Sequence, residues 1–148
     1  MQNLKILNSK EIKKILDIIM KQFGANFKKD YVFLMSEKNK AYIVNRDIEK
    51  IDLSKLRVNS YGLYFGELRD NEFRLSVEGS QIIGKIATKG IVELNEKEMK
   101  EWFNGTDLDV KHERGFVILK HETDFIGCGK SLGDKILNYM PKIRRVVL

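Results

Sequence analysis

Residues 115–131 read GFVILKHETDFIGCGKS. The opening GFVILK is an apolar, β-branched run of strand length, and the polar His121-Glu122-Thr123-Asp124 predicts a turn. Residues 125–129 are the expected return strand. Gly129-Lys130-Ser131 behind an apolar run also has the outline of a phosphate-binding P-loop. That loop needs a glycine five residues before its Gly-Lys, so that backbone N–H groups can wrap the phosphates. Asp124 occupies that position, and its carboxylate would repel phosphate. Only 17 residues follow Ser131, too few for the rest of a βαβ unit. The stretch is therefore read as a strand, a turn and a strand.

Its neighbours continue the pattern. Ile91-Val92-Glu93-Leu94 predicts a short strand. Asn95 and Glu98 have the spacing of a capping box for a helix over 96–103, which Asn104-Gly105 ends. Residues 106–110 read as extended, and Val146-Val147-Leu148 predicts a last strand. Short strands at close spacing with one or two small helices predict a compact β-barrel or half-barrel.

The N-terminal half has longer elements. Ser9 is the expected N-cap of a helix in which Ile12, Ile15, Leu16, Ile19 and Phe23 recur at three- and four-residue spacing, and Gly24 stops it. Lys10, Lys13, Lys14 and Lys21 then form a solvated face. Residues 31–34 and 41–44 predict a hairpin around Glu37-Lys38-Asn39-Lys40, followed by a short helical piece at 46–51. Residues 61–68 read as extended, with Gly62 and Gly66 allowing bends. Asp70-Asn71-Glu72 turns the chain into Phe73-Arg74-Leu75. Ser76 caps a helix expected to run to residue 87, with Val77, Ile82, Ile83 and Ile86 as its apolar stripe. Gly79 and Gly84 each weaken that helix by about 1 kcal/mol relative to alanine, and permit close backbone packing. The expected class is α+β, with two small domains, 1–88 and 89–148, packed directly on each other.

Composition agrees. The 148 residues are 43% hydrophobic and 32% charged, enough for a core and a well-solvated surface. There is no apolar run of about 18 residues, hence no expected membrane span. The N-terminus MQNLKILNSKEIKK lacks a signal core, and the single cysteine, Cys128, rules out an internal disulfide, so a cytoplasmic location is expected. The net charge of +6 is uneven. Residues 1–85 carry 16 basic and 11 acidic side chains, 86–128 carry 6 and 9, and 129–148 carry 5 and 1. A basic end beside an acidic middle points to a polyanion-binding edge.

No catalytic set is legible. His112 and His121 lack partners at a zinc spacing, so no metal is expected. Cys128 between two glycines reads as a small buried residue. Asp107 and Asp109 read as solvated, and Trp102 and Phe103 as core. What remains is the glycine-rich basic tail. Glycines let a backbone approach a ligand closely. Lys130, Lys135, Lys142, Arg144 and Arg145 can partner phosphates, while Asn138 and Tyr139 can hydrogen-bond to or stack on a base. Pro141, the only proline, stiffens the approach to the end of the chain.

These residues also carry a resemblance. Tyr64-Phe65-Gly66-Glu67-Leu68, Phe73-Arg74-Leu75-Ser76 and residues 86–92 (IATKGIV), with Asn104-Gly105, resemble the Nip-type ribosome-biogenesis factors, in which an α/β pre-PUA domain precedes a PUA domain. Residues 127–129 with 135–145 (KILNYMPKIRR) are similar to the C-terminal RNA-binding region of the Sun/Fmu-family RNA cytosine-C5 methyltransferases. Together the resemblances cover about residues 58–148. They imply a pre-PUA domain at 1–88, a PUA-like β-barrel at 89–148 and ribosomal or transfer RNA as partner. They also imply that RNA is held by Asn104-Gly105-Thr106, after the first helix of the PUA domain, and by the region 142–145. Gly127-Cys128-Gly129-Lys130 would be a strand-end turn, with Lys130 at a phosphate. The chain departs from the methyltransferases in two ways. Lys135 is followed by Ile-Leu-Asn, which breaks their Lys-Asn pair, and one cysteine and one proline leave no room for their catalytic domain. The expectation is a non-catalytic, cofactor-free RNA-binding protein of rRNA maturation or RNA modification. The rival is an adaptor bringing RNA specificity to a separately encoded RNA methyltransferase or a pre-ribosomal particle.

Overall fold

The computed structural model describes residues 4–28, 31–45 and 62–146. They form two sheets and three helices, an α+β protein. The first sheet is an antiparallel meander in the order β1 (Leu4–Ile6), β2 (Tyr31–Ser36), β3 (Lys40–Asn45), β4 (Leu63–Arg69) and β5 (Glu72–Leu75). Helix α1 (Ser9–Phe23) lies between β1 and β2 in sequence, and α2 (Val77–Gly84) follows β5. The second sheet has the order β6 (Ile91–Glu93), β7 (Gly115–His121), β8 (Asp124–Ser131) and β9 (Ile136–Asn138). Helix α3 (Glu96–Phe103) follows β6, and β6 pairs with β7 in parallel.

The opening hairpin is β7–β8, in register from Gly115↔Ser131 to His121↔Asp124. Its uninterrupted Phe-Val-Ile-Leu run has a physical cause, since both faces of β7 are buried. Phe116 and Ile118, with Cys128 of β8, join the core of the N-terminal half around Phe23, Phe33, Phe65 and Phe73. Val117 and Leu119, with Ile126 and Ile136, pack instead around Trp102 in a second core. The second sheet is thus the shared wall of both cores.

Several expectations are met closely. Helix α3 has the Asn95/Glu98 capping box, with Glu98 N donating to Asn95 Oδ1 at 2.8 Å and Asn95 N donating to Glu98 Oε1 at 2.9 Å. The hairpin β2–β3 pairs Tyr31 with Asn45 and Met35 with Ala41. Ser76 caps α2, its Oγ accepting from Gly79 N at 2.9 Å. Gly24 ends α1 in the left-handed region at φ 59°.

Others are corrected. The N-cap of α1 is Asn8, because its side chain and that of Glu11 close a reciprocal pair of bonds, 2.9 and 3.1 Å long, that Ser9 is one residue too late to make. Helix α2 stops at Gly84, with Lys85 as its C-cap, rather than running to residue 87. Residues 106–110, read as extended, contribute a single bridge, Leu108↔Ile136. Residues 125–129 are the expected return strand, the turn that the resemblance implied at 127–130 lies inside β8 instead, and Ile136–Asn138, read only as part of the basic tail, is a strand paired with β8. Val146 is not in a strand. The helical piece at 46–51, Tyr61, and Val147 with Leu148 lie outside the described residues.

Helix α2 joins the halves through its glycines. A Cβ on Gly79 would sit 2.2 Å from the Phe65 carbonyl oxygen of β4, and one on Gly84 would sit 2.4 Å from the Phe125 ring of β8. Alanine in place of a helical glycine normally stabilises by about 0.5–1 kcal/mol. At Gly79 the sign reverses, because a backbone carbonyl cannot step aside. Gly79→Ala is expected to cost about 1–2 kcal/mol by overpacking, read as a lower urea midpoint with an unchanged slope.

Candidate nucleic-acid interface

The C-terminal end of α3 organises the candidate site. Gly105, at φ 90°, reverses the chain, and Gly105 N donates to Trp102 O at 3.0 Å. Thr106 N donates to Glu101 O at 3.0 Å. The far end of the chain returns to the same place. Pro141 leads into a 3-10 turn, Lys142–Arg144, closed by Arg144 N donating to Pro141 O at 2.9 Å. Val146 N then donates to Phe103 O at 2.7 Å. Arg145 lies across Gly105, so that a Cβ there would be 2.6 Å from Arg145 Cδ and Nε. Its Nε donates to Met140 O at 3.2 Å. Exposed Asn104 and Thr106, half-buried Gly105, and exposed Lys142, Arg144 and Arg145 therefore meet at one end of the second sheet.

Asn138 fastens this end together. Its Nδ2 donates to Trp102 O at 2.8 Å and to Thr106 O at 3.0 Å, while its Oδ1 accepts from Met140 N at 2.8 Å. Asn138 N donates to Asp107 Oδ1 at 2.8 Å. Both amide hydrogens are engaged inside the protein, so the side chain holds the loop in shape. Asn138→Ala removes three side-chain bonds and leaves the Thr106 carbonyl and the Met140 N–H without these partners at a partly solvated position, while Trp102 O keeps Gly105 N. It is expected to cost about 1–2 kcal/mol of stability, and thermal unfolding monitored by circular dichroism measures it.

The remaining tail residues are dispersed. Tyr139 packs beneath Arg74 of β5, whose guanidinium carbon stands 4.5 Å from the ring centre, so one face of the ring is occupied. Lys130 reaches across to β5, its Nζ 3.2 Å from Glu72 Oε1 and 5.2 Å from the centre of the Phe116 ring. Arg144 donates through Nη2 to Glu78 Oε1 of α2. Lys130 and Arg144 thus clip the C-terminal half to the N-terminal half. Lys135 is exposed in the turn between β8 and β9. It lies about 10 Å from Asn138, at the other end of a three-residue strand. Among the described residues, Lys135, Lys142 and Arg145 make no ion pair.

The role of the two glycines in β8 is to seat an indole. Trp102 is 1% exposed. A Cβ on Gly127 would lie 3.0 Å from its Nε1, and one on Gly129 would lie 2.9 Å from its Cη2. A Cβ at 127 would make the indole give way by a few tenths of an ångström, and one at 129 would also meet Ile136 Cγ2 at 2.7 Å and the Leu137 carbonyl oxygen at 2.8 Å. Cys128, between them, points to the opposite core, where burial pushes its thiol pKa up to about 12, so it is a neutral packing group. Among the described residues no three His, Cys, Asp or Glu side chains form a metal-binding group. No helix among them is long and apolar enough to cross a membrane. A hollow of about 570 Å³ lies between β1 and α1, beside Lys5, Glu11 and Met35, and involves none of these residues.

Comparison with known proteins falls on the same region. Residues 89–146 match the family described as the methyltransferase RsmF PUA domain. The chain is 30% identical over 90 residues to the ribosomal RNA small subunit methyltransferase F of Aeromonas salmonicida (strain A449), covering 60% of this chain and 19% of that protein. It is 27% identical over 92 residues to the protein of the same name from Vibrio cholerae serotype O1 (strain M66-2), covering 61% and 20%. The Aeromonas hydrophila counterpart is 31% identical over 90 residues, covering 60% and 19%. The chain spans about a fifth of the length of the curated relatives it matches. The C-terminal half is thus similar to the PUA domain of an rRNA methyltransferase.

Proposed function

We propose that this chain is a cytoplasmic RNA-binding protein that acts in the maturation or modification of ribosomal RNA and carries out no chemistry itself. The reading includes a division at residue 88/89 into a pre-PUA domain (1–88) and a PUA-like domain (89–148). One observation carries it. Two segments far apart in sequence, Asn104-Gly105-Thr106 and residues 142–145, are brought to one end of a domain similar to the PUA domain of an rRNA methyltransferase, and Arg145 lies directly over Gly105. Lys142 and Arg145, unpaired among the described residues, supply phosphate contacts, and the exposed loop lies beside them to meet a backbone or an unpaired base. Affinity then comes mainly from counterion release and falls steeply with salt.

A second reading is that the protein is an adaptor, bringing RNA specificity to a separately encoded RNA methyltransferase or to a pre-ribosomal particle. The feature favouring it is the acidic stretch 86–128, with 9 acidic and 6 basic side chains, which would weaken binding to RNA alone.

Titration of labelled rRNA fragments, tRNA and sequence-matched DNA at two salt concentrations separates the readings. Tight, RNA-selective, salt-sensitive binding is the expected result. Weak and equal binding to all three would discard the first reading and leave the adaptor, to be pursued by isolating its methyltransferase or pre-ribosomal partner.

A further inference from the structure

We infer that the outer face of α1 is a second RNA-binding surface, which holds the phosphate backbone of the RNA that the C-terminal half binds. The inference rests on the RNA-binding reading and deepens it. It places a contact outside residues 89–146, the part similar to a PUA domain.

Helix α1 has two unlike faces. Ile12, Ile15, Ile18, Ile19 and Phe23 are buried in the first core. Lys10, Lys13, Lys14 and Lys21 are exposed on the other side. At 3.6 residues per turn these lysines fall within an arc of about 100°, and from Lys10 to Lys21 they extend about 16 Å along the axis. Asp17 is the one acidic side chain inside that arc, so four lysines against one aspartate leave a net +3. Among the described residues none of the four lysines makes an ion pair. Glu11, the other acidic residue of the helix, is committed elsewhere. Its carboxylate accepts from Asn8 N at 3.1 Å and pairs with Lys5 Nζ at 2.8 Å.

Helix α3 shows how the same chain treats lysines that need only be solvated. There Lys97 and Lys100 each stand four residues from a glutamate, with Nζ 4.0 Å from Glu101 and 3.6 Å from Glu96. On α1 the pattern runs the other way. Lys10 has Lys13 and Lys14 three and four residues on, and like charges at that spacing destabilise a helix. Lys10 is also the second residue of the first turn, where the positive end of the helix dipole disfavours a cation. Charge carried against the stability of its own helix points to a partner of opposite sign.

Lysine meets phosphate as a point charge and does not read bases, so a row of lysines fits a polyanion. A helix lying in an anionic membrane needs a free apolar face, and that of α1 is buried in the core. RNA is the polyanion that the face fits.

The test compares the intact protein with a quadruple variant, Lys10→Gln, Lys13→Gln, Lys14→Gln and Lys21→Gln, by anisotropy of labelled rRNA fragments at two salt concentrations. A control variant removes the same charge from exposed lysines elsewhere, by Lys38→Gln, Lys85→Gln, Lys97→Gln and Lys111→Gln. Glutamine has nearly the helix propensity of lysine. The α1 variant is therefore expected to keep or raise the unfolding midpoint, because like-charge repulsion is relieved. Its affinity at 0.1 M salt is expected to fall about 100-fold, with a slope shallower by about two units. If the quadruple variant does not fold, Lys13→Gln with Lys14→Gln is measured instead, with about one unit expected. A loss no larger than that of the control variant would overturn the inference. So would lysine-dependent binding to vesicles one-third phosphatidylserine with RNA affinity unmoved. Arg144→Ala with Arg145→Ala, in the same titration, keeps the two readings apart. RNA affinity that responds to the arginines and not to the α1 lysines removes the α1 surface alone, and no RNA binding by the intact protein removes both.

Discussion

Trp102→Ala is expected to lower the stability of the protein by about 3–5 kcal/mol, the range for removing a large aromatic from a well-packed core. At about 2–4 °C per kcal/mol for a chain of this size, that is a fall of roughly 6–20 °C in the unfolding midpoint. The indole lies in the second core, among Val92, Leu94, Leu108, Val117, Leu119, Ile126 and Ile136, and positions 127 and 129 of β8, being glycines, offer no side chain to fill the space it would leave. This gives a sharper test than the loss alone. Gly127→Ala places a methyl group 3.0 Å from Trp102 Nε1, with no atom outside the indole among its nearest contacts. In the native background it should destabilise, since the indole must shift by a few tenths of an ångström. In the Trp102→Ala background the obstruction is gone, and the same substitution should be neutral or stabilising, because alanine loses less chain entropy than glycine in a strand. The coupling between the two positions should therefore be about 1 kcal/mol or more. Additive effects, read from urea midpoints of the four proteins, would mean that the glycines of β8 are not there for the indole.

That pairing also shows what the sequence could and could not make legible. The capping box of α3, the Ser76 cap of α2 and the Gly24 stop of α1 were readable, because a cap is a local event within four residues, whereas the expected α1 cap falls one residue late and the expected end of α2 three residues late. The run Phe116-Val117-Ile118-Leu119 was readable as a strand, since burial on both faces leaves no polar alternation. Gly127 and Gly129 were not readable in the same way. Glycines beside a lysine look like a turn or a ligand loop, and the reason for Gly127 lies 25 residues away, at Trp102 of α3, while Gly129 is pressed by β9 as well as by that indole. Strand β9 was hidden for a related cause. Its three residues, Ile136-Leu137-Asn138, are too short for an alternating pattern, and they sit among basic residues that read as a binding tail. Asn138 reads in the sequence as a residue that can hydrogen-bond to a base. Its work is to bind three backbone groups of the protein, which only the tertiary fold discloses.

The same distinction sets the expected outcome for the basic end. Arg144→Ala with Arg145→Ala is expected to reduce the slope of log affinity against log salt by about one to two units, because each lost phosphate contact releases about 0.7–0.9 fewer counterions. At 0.1 M salt that corresponds to a loss of roughly 10- to 100-fold in RNA affinity. The two arginines are not equivalent. Arg145 is exposed, makes no ion pair among the described residues and crosses the loop at Gly105, so its full charge is available to a phosphate. Arg144 shares its charge with Glu78 on the other half of the molecule. The single variant Arg145→Ala should therefore carry the larger part of the slope change, and Arg144→Ala the smaller. Glu78→Gln, by releasing Arg144 from its carboxylate, should move affinity in the opposite direction and steepen the slope. The ion pair is partly exposed, so none of the three changes should alter stability by more than about 1 kcal/mol, and RNA binding can be compared at equal folded fraction. If affinity and slope were the same in the wild type and all four variants, the loop and tail that meet over Gly105 would not be where RNA binds.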